Sequence, residues 1–125
     1  MSESGMIDIS VATQYVEDQS QPDSDRYVFA YTITITNNGA SPSQLLRRHW
    51  VITDAGGETE EVRGEGVIGK QPRLRPGESF QYTSGAILRT PVGAMHGEYE
   101  FEDEQGRLFD VPIPPFSLSL PNMVH

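Results

Sequence analysis

Residues 64–72, GEGVIGKQP, satisfy two phosphate-binding patterns at once. Gly64, Gly66 and Gly69 spell G-x-G-x-x-G, and Gly64, Gly69 and Lys70 spell G-x-x-x-x-G-K. A dinucleotide fingerprint needs a helix opening at its last glycine and an acid roughly 20 residues further on. Pro72 and Pro76 forbid that helix, and Arg89 stands where the acid belongs. A P-loop needs Ser or Thr after its lysine to hold magnesium. This chain has Gln71, and Pro72 again blocks the helix. A third arrangement survives. Glycines in a loop can turn successive N–H groups inward as an anion nest, and arginine forks match phosphate oxygens. Arg63, Gly64, Gly66, Gly69, Lys70, Arg73 and Arg75 are the candidate anion-binding residues. The competing reading is a long turn that needs its glycines for backbone geometry, flanked by ordinary surface arginines.

Other residues able to do chemistry are dispersed. His49 stands beside Trp50, and strand alternation turns it away from Trp50 and onto the face of Arg47. Catalysis requires a nucleophile and an orienting acid. Ser84 and Asp54 exist, but no spacing joins them to His49. His96 and His125 are remote, so the histidines form no zinc pattern. Glu98, Glu100 and Glu102 share one strand face and could gather a hard cation. Carboxylates on a flat strand diverge, however, and a solvated polar face is the plainer reading. No metal, cofactor or catalytic residue is assigned. Trp50, the only tryptophan, belongs in the core with Leu46 and Ile52 on its face.

The elements that must position these residues are strands. Tyr27, Phe29, Tyr31, Ile33 and Ile35 alternate with smaller or polar residues, and Asn38-Gly39 ends the run. Ile7, Ile9, Val11 and Tyr15 suggest an earlier strand, and LLRRHWVITD (45–54) a later one that returns through DAGGE. Pro76-Gly77 specifies a type II turn before a strand with Phe80 and Tyr82 on one face. GEYEFED, LFDVPI and PPFSLSLP complete the set. Pro112, Pro114 and Pro115 suit only an edge. The pattern predicts an all-β, antiparallel β-sandwich of immunoglobulin or fibronectin type III kind with seven to eight strands, a small barrel being the other solution. Residues 1–125 read as one domain, with 1–5 and 121–125 loose and 19–25 an exposed loop.

Composition narrows the partners. A net charge of −9 disfavours nucleic acid and anionic membrane surfaces. Residues 1–46 and 90–125 each hold six acids and one base, whereas residues 47–89 hold seven bases and six acids. An anion site belongs in that middle segment. There is no cysteine, no signal-peptide pattern and no membrane-length apolar run, so the expected location is the cytoplasm, with no membrane insertion.

Four segments together resemble the ApaG family of small bacterial proteins: LLRRHWVITD (45–54), EVRGEGVIGKQPRLRPGESFQYTSG (61–85), TPVGAMHGEYEF (90–101) and VPIPPFSL (111–118). The resemblance implies a fibronectin type III-like sandwich. It also implies an association with cobalt resistance and magnesium efflux, gene neighbourhood with a diadenosine-tetraphosphate hydrolase, and partner binding by related domains in eukaryotic F-box proteins. It implies no reaction. The expected function is a non-enzymatic protein–protein interaction module, monomeric or homodimeric, with an unidentified protein partner. The alternative is binding of phosphate, pyrophosphate or a dinucleoside polyphosphate through the 63–75 loop.

Overall fold

The computed structural model describes residues 6–121. The loose ends expected at 1–5 and 121–125 fall, apart from Pro121, outside the described residues. Eight strands follow in chain order: β1 (Ile7–Tyr15), β2 (Tyr27–Asn37), β3 (Ser43–Asp54), β4 (Thr59–Glu65), β5 (Arg73–Leu74), β6 (Ser79–Leu88), β7 (Val92–Asp103) and β8 (Leu108–Ser119). 3₁₀ turns at Glu17–Gln19 and Pro22–Ser24 lie within the exposed β1–β2 connection. Every strand pairing is antiparallel.

Two sheets face each other. One has the order β1-β2-β6, the other β4-β3-β7-β8, with β5 beside the start of β3 on the flank that β4 occupies further along. This is the sandwich that the alternation at 27–35 predicts. Phe29, Tyr31, Ile33 and Ile35 of β2 are buried against Leu45, Trp50, Tyr99 and Phe101 of the opposite sheet. Trp50 is 2% exposed and meets Tyr31, Tyr99 and Phe116 edge-on or tilted at 5.4–6.2 Å between ring centroids. Such tilted pairs suit the ring quadrupoles.

Turn chemistry is repeated. In the β3–β4 hairpin, Asp54 Oδ1 accepts from the N–H groups of Gly56 and Glu58. In the β7–β8 hairpin, Asp103 Oδ1 accepts from Gln105 and Arg107. Gly77 has φ +86°, and Glu78 N–H donates to Arg75 O at 2.9 Å, as the Pro76-Gly77 pair demands. Pro112, Pro114 and Pro115 all lie in β8, the edge of the larger sheet. The extra residue of Pro114-Pro115 is absorbed by a bulge opposite Met95–Gly97.

One expectation is corrected. Leu46 does not share the inner face with Trp50. Leu45 pairs with Phe101 and Arg47 with Glu100, so Leu46 is the extra residue of a bulge. The bulge shifts the alternation by one: Leu45 fills the core and Leu46 is half-buried.

Candidate functional site

The GEGVIGKQP stretch forms a hairpin, with no helix. Gly64 and Glu65 end β4. Val67 and Lys70 then exchange both backbone hydrogen bonds, 2.8 and 2.9 Å, around Ile68 and Gly69. Both central residues have positive φ, 44° and 77°. That is the signature of a type I′ turn, whose twist matches the strands that enter it. Asn-Gly is the favoured pair there, and this chain has Ile-Gly.

Each glycine of the motif has its own local reason. Gly69 supplies the second positive φ. Gly66 has φ +65°, and a Cβ there would lie 2.3 Å from Lys70 O. Gly64 is extended, and its missing Cβ would strike the Arg48 guanidinium at 2.7–2.8 Å. Arg48 Nη1 is fixed above it by the carbonyls of Glu65 and Gly66, at 3.1 and 2.9 Å. Gly66 N–H donates to the carbonyl of the bulged Leu46 at 2.8 Å, and Gln71 Nε2 donates to the same oxygen. The bulge and the hairpin are thus built for each other.

The candidate basic residues disperse around this hairpin. Arg63 stands on the outer face of β4 opposite His49, 3.5 Å from Glu61. Lys70 and Arg73 are exposed, and Arg73 pairs with Gln44 at the far end of β3. Arg75 turns to Glu78, accepting no partner from the hairpin: its N–H and guanidinium both donate to that carboxylate. Of the seven candidates, Arg63 and Gly64 line one open cleft of about 460 Å³ on the outer face of the larger sheet. Its other walls are Arg47, Arg48, His49, Glu65, Glu98, Glu100 and Asp110.

Several charges in that cleft are paired. Arg47 pairs with Glu100. His49 lies between two carboxylates, Nε2 at 2.7 Å from Glu61 and Nδ1 at 3.1 Å from Glu98. Hydrogen bonds to Glu98 and then Glu61 raise the His49 pKa above its usual value, and the same contact lowers that of Glu61. When the imidazole is protonated, both of its nitrogens can donate to these carboxylates. Glu98 and Glu100 are therefore drawn to cationic side chains, and no group of three or more acids, histidines or cysteines able to hold a metal occurs among the described residues.

Sequence reasoning missed Arg48. Alternation turns it inward with Trp50, between the sheets. There it borders a second cleft, about 400 Å³, whose lining includes Tyr31, Trp50, Glu60, Val62, Ser84 and Ile87. Below it Tyr82 and Tyr99 share a buried hydroxyl pair at 2.5 Å. Burial raises both phenols, which stay protonated. The available signal was the arginine's odd-even relation to Trp50.

The family model of the ApaG domain matches residues 17–103. The chain belongs to the ApaG family. Protein ApaG of Azoarcus sp. is 53% identical over 99% of this chain and 98% of its own length. Protein ApaG of Thiobacillus denitrificans is 57% identical over 95% and 94%. A crystal structure from Bordetella pertussis, of a protein named ApaA, superposes with a TM-score of 0.92 at 50% identity, covering 94% of this chain and 95% of that one. The ApaG domain model ends at Asp103, whereas these relatives extend through β1 and β8, which complete the two sheets. No helix among the described residues is long and apolar enough to cross a membrane.

Proposed function

We propose that this ApaG domain is a non-catalytic partner-recognition module that presents the Val67–Lys70 hairpin to another protein. The observation that carries the reading is Ile68. A β-branched residue with positive φ is a conformational outlier, and such strain concentrates where function needs it. Ile68 has φ 44° and is 53% exposed at the tip of a rigid two-residue turn. Neither folding nor solubility is served by isoleucine there, whereas an apolar anchor on a preorganised hairpin is what a partner's pocket recognises. Any effect on cobalt or magnesium homeostasis runs through that partner. The test compares partner capture by the wild-type chain and by Ile68→Asn from the native host. Loss of one specific protein with the folded variant supports the reading; identical capture by both overturns it.

A second reading places an anion at the same hairpin. Arg63, Lys70 and Arg73 are exposed around it, and the chain's bases concentrate there despite its acidity. Pyrophosphate or a dinucleoside polyphosphate is the ligand this reading names. Saturable amide shifts at Gly64, Gly66 and Gly69 on pyrophosphate titration, lost when Arg63 and Arg73 are both changed to Ala, support it. Shifts scattered over the surface end it.

A further inference from the structure

Sheet edges are sites of unwanted pairing, and proteins guard them with charge, proline, bulges or cover. Three edges of this sandwich are guarded. β8 carries Pro112, Pro114 and Pro115 and a bulge. β4 carries Glu60, Glu61 and Arg63. β1 carries Asp8 and runs beside β8. β6 differs from all of them. Its ten residues, SFQYTSGAIL, contain no charge and no proline. Its register with β2 runs unbroken from Tyr27↔Leu88 to Thr36↔Ser79. Its other flank is the edge of the three-stranded sheet, and Ile87 on it is 56% exposed.

We infer that β6 pairs antiparallel with β6 of a second copy, about a two-fold axis at Thr83, joining two three-stranded sheets into one of six strands. The side chains fit this register. With Thr83 facing itself, Gln81 faces Gly85 of the partner copy and Ser79 faces Ile87. On the inner face Phe80 meets Ala86 and Tyr82 meets Ser84, so each large side chain opposes a small one. Thr32 and Thr83 already share a hydroxyl hydrogen bond at 2.8 Å, and the pair extends that ladder across the axis. Gly85 gains a purpose. A Cβ there would come no closer than 3.5 Å to Phe29 O, so packing within the chain does not require glycine. Mid-strand glycine otherwise marks the close approach of another backbone or ligand.

Charge selects a second copy over an unrelated strand. A chain of net charge −9 repels its copies over most of its surface. β6 itself carries no charge, and only its last residues, Ile87 and Leu88, border the acids Asp54, Glu58 and Glu60 of the neighbouring hairpin. The strand is bounded by Glu78, whose carboxylate Arg75 already holds, and by Arg89, so antiparallel pairing sets Arg89 of one copy beside the Glu78–Arg75 pair of the other.

Sedimentation equilibrium of the full chain, from micromolar to millimolar, is the first test. The expected result is a reversible dimer. Thr83→Lys, which sets two ammonium groups face to face, weakens it about tenfold, roughly 1.4 kcal/mol, while circular dichroism stays unchanged. The chain has no cysteine, so single replacements report the register independently of that variant. Thr83→Cys cross-links to itself under oxidation. Gln81→Cys alone does not, but cross-links when mixed with Gly85→Cys. A monomer throughout the range, a dimer indifferent to Thr83→Lys, or cross-linking in another pattern overturns the proposal.

Discussion

The guanidinium of Arg48 lies across Gly64, occupying the space of the absent side chain, with its planar atoms 2.7–2.8 Å from where a Cβ would be. Two carbonyls hold it there. Gly64→Ala must push it away and strip those hydrogen bonds. The expected cost is about 1 kcal/mol, read as a shift in the urea midpoint. In an Arg48→Met background the same replacement costs much less, because nothing is displaced. A double-mutant cycle measures that coupling, and additive effects refute the relationship.

Ile68→Asn stabilises the fold. Asparagine tolerates positive φ, which β-branched residues resist, and the expected gain is about 1 kcal/mol. Thermal or urea unfolding checks this. A loss of stability means that Ile68 makes contacts that matter within the fold.

His49 makes stability depend on pH. Its pKa is raised in the folded chain by the carboxylates of Glu98 and Glu61. Folding therefore favours the protonated ring. The contribution is fully present below the unfolded value of about 6.5 and disappears as pH rises through the raised folded value. His49→Gln removes it, so the stability gap between wild type and variant narrows as the solution is made alkaline. Ring-proton shifts followed by NMR give the folded value directly. A midpoint at or below the ordinary histidine value contradicts the arrangement.

Gly97→Ala is the most damaging single methyl group in the larger sheet. It would bring a Cβ to 2.0 Å from His49 O, a backbone atom with no freedom to retreat. The expected loss is about 3 kcal/mol, with low soluble yield. Near-wild-type unfolding would mean that β7 and β3 separate more easily than their register implies.

Much of this was legible in the sequence. Alternation located β2 and the inner residues of β7, and Asn38-Gly39, DAGGE and Pro76-Gly77 located turns, because those signals are local. Three features were not legible. The bulge at Leu46 arises from how β3 meets β5 and the hairpin, 20 or more residues away. The first half of β7, Val92–His96, lacks alternation, and its Gly93 answers close approach to β3, a Cβ there falling 2.6 Å from Thr53 O. The GEGVIGKQP glycines carry no single cause: one answers Arg48, one a carbonyl and one a turn. A motif read as a unit concealed three independent backbone demands. At the site, His49 sharing a face with Arg47 followed from parity alone, whereas its clasp by Glu61 and Glu98 required the strand order.

The order in which strands pair also sets a timetable for synthesis. β1 and β2 are neighbours in sequence and can join as soon as Asn37 has left the ribosome. Their third strand, β6, begins at Ser79, and the opposing sheet is finished only by β8. At about 5–20 residues per second, roughly 2–8 s separate the emergence of Asn37 from that of Ser79. During that interval the first hairpin, with Ile33 and Ile35 on its apolar side, lacks its partner strand β6, and only β3, β4 and β5 of the opposing layer have followed it. A nascent chain of this topology is thus most dependent on chaperone shelter midway through translation, well before the mature protein exists.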